Sequence, residues 1–122
     1  MERGAEIAMY RKYHNRECTC DGLKFDSYKE KAYYEELKLL QRAGAVKQIE
    51  TQVKYVLQEA FKYMGKTERA ITYIADFRVT YTDGHIEIVD VKGFKTDVYK
   101  LKRKMLLKQL AGSGAEAQFK EV

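Results

Sequence analysis

One stretch, Asp76 to Lys92, restricts what this 122-residue chain can fold into more than any other. It reads Asp76-Phe77-Arg78-Val79-Thr80-Tyr81, then Asp83-Gly84, then Ile86-Glu87-Ile88-Val89-Asp90-Val91-Lys92. β-Branched and aromatic residues on both sides of an Asp-Gly pair predict a β-hairpin. Two carboxylates interrupt its apolar arms: Asp76 follows Tyr73-Ile74-Ala75, and Asp90 follows Ile88-Val89. A charge inside an apolar strand is costly unless a cation compensates it, and a divalent metal would do so. Lys92 lies two residues beyond Asp90 and so projects from the same side of its strand.

Loop length decides whether these groups can cooperate. A two-residue loop at Asp83-Gly84 pairs Thr82 with His85 and leaves Asp76 pointing away from Asp90 and Lys92. A three-residue loop, Thr82-Asp83-Gly84, pairs Tyr81 with His85 and sets Asp76 opposite Asp90. Glycine at the third loop position takes the left-handed conformation that this loop class favours. The expectation is the three-residue loop, or a bulge of the same parity, with both carboxylates within reach of a single Mg²⁺.

The rest of the chain supplies a frame for the hairpin. Ser27-Tyr28-Lys29-Glu30 is a capping box that predicts a helix from Ser27 to about Arg42, stopping near Gly44. Glu30, Tyr33, Tyr34, Leu37 and Leu40 share its apolar side. Val46 to Gln58 alternates as a half-buried strand, and Phe61 to Glu68 reads as a connection containing Gly65-Lys66. After the hairpin, Thr96 caps a second helix with Val98, Leu101, Met105, Leu106 or Leu107, and Leu110 inward, ended by Ala111-Gly112-Ser113-Gly114. Ala117 to Val122 reads as a last strand, parallel to the hairpin because a crossover helix precedes it. The predicted order is α-β-β-β-α-β: an α/β fold with one mixed sheet flanked by helices. Residues 1–20 form a basic, partly flexible segment, and residues 21–122 a single domain.

Composition excludes some classes. No apolar run approaches a membrane span or a signal peptide, so a cytoplasmic protein is expected. Cys18 and Cys20 are too close for an ordinary disulfide, lack a second pair for zinc, and read as reduced thiols. The formal net charge of +5 favours an anionic partner, most often nucleic acid. Lys100, Lys102, Arg103, Lys104 and Lys108 crowd one side of the second helix, with Lys95 just before it. In the N-terminal segment, Arg11 and Lys12 stand among aromatics that could stack on bases.

Asp76, Asp90 and Lys92 are the residue types that phosphodiester hydrolysis requires. Carboxylates hold Mg²⁺ or Mn²⁺, and a lysine orients or deprotonates the water. The Val91 carbonyl could complete the coordination.

Asp76, fourteen positions later Asp90-Val91-Lys92, on a hairpin after a helix carrying Glu30, resembles the PD-(D/E)XK nuclease superfamily. Ile74-Ala75-Asp76 stands where the superfamily has its "PD", without the proline. More closely, the chain resembles a family of small phage and prophage proteins of unknown function grouped with these nucleases. The matching segments are Lys12-Tyr13-His14-Asn15, Asp21-Gly22-Leu23-Lys24-Phe25-Asp26-Ser27, Ile71-Thr72-Tyr73-Ile74-Ala75-Asp76-Phe77 and Asp90-Val91-Lys92-Gly93-Phe94-Lys95-Thr96. The resemblance implies Asp76 and Asp90 as metal ligands, Lys92 as catalytic lysine, and Glu30 as the helix carboxylate, with Glu35 and Glu36 as alternatives. It also matches Gln52 to a recurrent glutamine, although an exposed polar strand residue explains Gln52 better. The implied activity is DNA cleavage in phage replication or recombination, on branched DNA such as Holliday junctions by analogy. A two-fold symmetric substrate would call for a homodimer. The competing reading is a non-catalytic nucleic-acid-binding module on the same fold.

Overall fold

The computed structural model describes residues 18–91, 95–114 and 117–122. The element order is β1 (Cys18–Cys20), β2 (Leu23–Phe25), α1 (Tyr28–Arg42), β3 (Val46–Gln58), β4 (Phe61–Tyr63), β5 (Lys66–Glu68), β6 (Ile71–Tyr81), β7 (Ile86–Asp90), α2 (Asp97–Ser113) and β8 (Ala117–Glu121). The described residues form an α/β fold with a mixed four-stranded sheet and two helices. Two short hairpins, β1–β2 and β4–β5, add to the expected order. No described helix is long and apolar enough to cross a membrane.

The chain divides into two compact units between Ala43 and Gly44. In the first, Asp21-Gly22 turns β1 into β2 with both loop residues at positive φ, 54° and 78°. Ser27 caps α1, its hydroxyl accepting from the Glu30 amide at 3.0 Å. The helix stops where the sequence loses its pattern: Ala43 is the C-cap and Gly44 takes φ +90°. Tyr34 and Leu37 are buried; the Tyr34 ring lies 5.0 Å from that of Phe25, and its hydroxyl donates to Asp21 at 3.0 Å.

The second unit holds the sheet, in strand order β3-β6-β7-β8. β3, β6 and β7 run antiparallel, and β8 joins β7 in parallel through the α2 crossover. Thr96 caps α2 by accepting from the Tyr99 amide at 3.0 Å, and Gly114 ends it in the left-handed conformation. The core against α2 contains Leu57, Tyr73, Ala75, Ile88, Tyr99 and Leu106. Leu106 is fully buried, and Leu106→Ala is expected to cost about 2–5 kcal/mol.

Two expectations for these elements are corrected. Val98 and Leu101 are exposed, and the inward stripe of α2 runs through Tyr99 and Leu106. The pattern misleads because Tyr99 buries its ring and still satisfies its hydroxyl, so the helix turns a tyrosine inward in place of Val98. The connection between Phe61 and Glu68 is instead the hairpin β4–β5. β3 forms one edge of the sheet and β8 the other. At β3 the Gln109 side chain donates to the Val56 and Leu57 carbonyls at 3.0 and 3.2 Å, tying α2 to that strand.

β3 and β6 change sides together at one level. Ile88 belongs to the core under α2, and its partner on β6 is Arg78. Tyr73 and Ala75, of opposite parity to Arg78, join that same core. The switch falls at Asp76, level with Gln52, which holds φ +53° on β3. A non-glycine residue at positive φ is a strained position.

Candidate functional site

The site grows out of the β6–β7 loop. The Tyr81 amide donates to the His85 carbonyl and the Gly84 amide to the Tyr81 carbonyl, both at 2.9 Å, with Gly84 at φ +98°. This is the three-residue loop Thr82-Asp83-Gly84. Asp83 Oδ1 accepts from the His85 amide at 3.0 Å, and the His85 ring stacks on Tyr81 at 4.1 Å. These bonds to His85 hold the Asp83 carboxyl below its usual range. The ladder then runs Thr80 with Ile86, Arg78 with Ile88 and Phe77 with Val89. The backbone ladder ends there, and Asp76 and Asp90 are the next residues along the two strands.

Beyond that pair a side chain links the two strands. Asp76 Oδ2 accepts from the Val91 amide at 2.8 Å. Asp76 is half-buried, whereas Asp90 is fully buried. Asp90 Oδ2 accepts from the Tyr73 hydroxyl, and the Asp90 carbonyl accepts from the Val122 amide at 2.9 Å. A buried carboxylate persists only when such donors replace its lost water.

The same level continues across the sheet. β3 pairs Thr51 with Phe77 and Val53 with Ala75, which sets Gln52 beside Asp76, while β8 pairs Glu121 with Asp90. Gln52, Asp76, Asp90 and Glu121 thus form one polar row over four strands. Glu121 accepts from the Tyr99 hydroxyl at 2.5 Å and from Lys95 at 3.2 Å, and pairs with Arg103 at 3.5 Å. The Tyr99 bond, then Lys95 and Arg103, hold its carboxyl below the usual range. Burial, then the Glu121 bond and the Asp90 and Glu121 charges, push the Tyr99 phenol far above its usual value.

The structure therefore brings Asp76, Asp90 and Val91 together, with Gln52 level with them. At Val91 it engages the N–H with Asp76. Glu30 is buried in the first unit, at the third position of α1. Glu35 is half-exposed and within 3.9 Å of Lys31, and Glu36 is exposed. Lys92, Arg11 and Lys12 lie outside the described residues. Lys95 and Arg103 turn to Glu121, and the Arg103 guanidinium stands 5.5 Å over the Phe119 ring. Lys102 is half-buried, while Lys100, Lys104 and Lys108 are exposed at four-residue spacing and form one outward stripe.

Two neighbours of the site, Tyr73 and Glu121, escape a reading of the sequence. Tyr73 sits in an apolar run where nothing marks its hydroxyl. Alternation in Ala117-Gln118-Phe119-Lys120-Glu121 does put Glu121 on the side of Phe119, a usable signal.

The donor chemistry suits a hard cation. Among the described residues no group of three or more His, Cys, Asp or Glu side chains could hold a metal. Mg²⁺, however, is commonly held by one or two carboxylates and keeps several waters. Asp76 and Asp90 supply that number on facing strands.

Fold and site together define an α/β protein with a carboxylate pair at a strand irregularity. A family model described as "Protein of unknown function (DUF1064)" matches residues 10–120, and the chain belongs to this family. No curated protein and no solved structure matches it.

Proposed function

We propose that this protein is a metal-dependent nuclease of the PD-(D/E)XK type that cleaves DNA. The reading rests on one observation above all. The Asp76 carboxylate accepts from the Val91 amide, between Asp90 and Lys92, just past the last ladder pair, Phe77 with Val89. Asp76 and Asp90 would hold Mg²⁺ or Mn²⁺, which when bound supplies charge stabilisation and an activated water. Tyr73 fixes the Asp90 carboxylate by its hydrogen bond, and the Val91 amide fixes that of Asp76. Both carboxylates are thereby set before substrate arrives, which removes reorganisation from the reaction. Lys92 has the amine that would orient the water, Glu30 is the further carboxylate of the motif, and Gln52 is level with the pair. The Lys100, Lys104 and Lys108 stripe suits the phosphate backbone. A cytoplasmic role in phage replication or recombination, and a homodimer presenting two sites to branched DNA, complete the proposal.

The test is cleavage of single-stranded, duplex, flap and four-way DNAs with Mg²⁺, Mn²⁺ or EDTA. The expected result is metal-dependent cleavage by the wild-type chain and none by Asp90→Asn. DNA binding without cleavage under every metal condition would instead establish the binding-module reading.

A further inference from the structure

The hairpin β4–β5 is used by nothing described so far. Its register continues that of the sheet: β3 and β6 pair Gln58 with Ile71, and β4 and β5 pair Phe61 with Glu68 and Tyr63 with Lys66. The two arms are thus one ribbon running out beyond the sheet. Every residue from 58 to 70 is exposed. At about 3.3 Å per residue the tip stands about 20 Å past the last β3–β6 pair.

Its side chains are not those of a solvated loop. Phe61 and Tyr63 project from one side and are 47% and 65% exposed. Lys66 and Glu68, paired with Tyr63 and Phe61, share that side; Lys62 and Thr67 project from the other, and Arg69 follows β5. Met64 and Gly65 form the two-residue loop with φ 49° and 81°, the turn type that selects Asn, Asp or Gly at both places. Methionine here is strained and 85% exposed, so neither folding nor solubility explains it. A strained residue at a projecting tip points to use.

The surroundings indicate what the arm meets. A pocket at its root is lined by Leu57, Met105, Lys108, Gln109 and Gly112. The lysine stripe of α2 therefore ends where the arm begins. Cations leading to aromatic faces and an apolar tip suit a polyanion that offers unstacked bases. Lys62, Lys66 and Arg69 outnumber Glu59 and Glu68 on the arm, and this excess of cations favours a polyanion over a second copy of the chain. We infer that the β4–β5 arm binds single-stranded or branched DNA. Phe61 and Tyr63 stack on unpaired bases, Met64 wedges at the base step beyond them, and Lys62, Lys66 and Arg69 contact phosphates. The inference rests on DNA being the substrate class and specifies which DNA.

The experiment is fluorescence anisotropy of the full chain in EDTA. The probes are a labelled 20-nucleotide single strand, its duplex, and a four-way junction. The variants are Met64→Gly and the double variant Phe61→Ser with Tyr63→Ser, with melting curves and light scattering alongside. The double variant is expected to lose roughly tenfold in affinity per stacked base on single strand and junction, and to match wild type on duplex. Met64→Gly relaxes the turn, so it melts no lower than wild type and still weakens junction binding. Equal affinities of wild type and double variant on all three probes would overturn the inference. So would a dimer that dissociates in the double variant with DNA affinity unchanged. Because no cleavage is read, the result is separate from that of Asp90→Asn. If Asp90→Asn cleaved normally while the arm variants lost junction binding, the metal-site reading alone would fail.

Discussion

The hairpins β6–β7 and β4–β5 obey the same pairing rules and have opposite surroundings. β6–β7 lies between two other strands, closes with Gly84 in the left-handed position, and buries Phe77, Val79, Ile88, Val89 and Asp90. Among the described residues β4–β5 has no further sheet neighbour, places a methionine where glycine fits, and buries nothing. A lone two-stranded hairpin is marginal in water, and this one persists as an extension of the β3–β6 ladder. In the first hairpin, polar residues are set by packing and hydrogen bonds. In the second, apolar residues are held out to solvent. The contrast separates a hairpin that buries a carboxylate from one that exposes its apolar side chains.

Four substitutions test that contrast, and the largest effect is expected at Asp90. Asp90→Asn keeps the shape and removes the charge, and should lower cleavage about a thousandfold or more while DNA binding stays within a few fold. Kinetics with Mg²⁺ and a binding isotherm decide it, and parallel loss of both through unfolding would make Asp90 structural.

Glu121→Gln probes the edge of the same region. Hydrogen bonds to charged groups suggest a loss of about 1–2 kcal/mol at pH 7. The Glu121 carboxyl is held below its ordinary value, so the unfolded chain binds that proton more tightly. Its contribution is complete above the ordinary carboxylate range and fades as pH falls through the depressed value. Denaturation curves of wild type and variant should therefore converge in acid; a gap constant with pH would assign the loss to packing.

Gly84→Ala should cost about 1–2 kcal/mol from backbone strain alone, since an added β-carbon there meets nothing within 4 Å. Urea titration reads this directly. Met64→Gly should do the reverse and stabilise slightly, by about 0.5 kcal/mol, because strain relief outweighs the added freedom of the unfolded chain. A destabilised Met64→Gly would mean that the tip packs, and the two hairpins would no longer differ in kind.

Much of the first hairpin was legible and little of the second. Asp-Gly, the three-residue loop it closes, and the Ser27 and Thr96 caps are local signals, and the structure keeps them because local and tertiary preferences agree there. Met64-Gly65 lacks the Asn-Gly or Asp-Gly signature, and the short arms show no apolar alternation, so the ribbon read as a connection. The inward turn of Tyr99 and the bonds of Tyr73 to Asp90 and of Glu121 to Tyr99 depend on contacts 17 to 22 residues apart. No periodic count sees these. Gln52 shows its left-handed backbone only when β3 and β6 are seen changing sides together.

The edge strand β3 has a consequence for how copies of this chain coexist. A thirteen-residue edge strand would ordinarily template another strand and begin aggregation. β3 breaks that template repeatedly. Its register with β6 shifts between Val46 and Gln48 and between Val56 and Gln58, and Gln52 kinks it in the middle. Gln109 occupies the Val56 and Leu57 carbonyls that an incoming chain would need. An intruding strand finds only short, misaligned runs to pair with, so the irregularity beside Asp76 also guards the chain against self-templating.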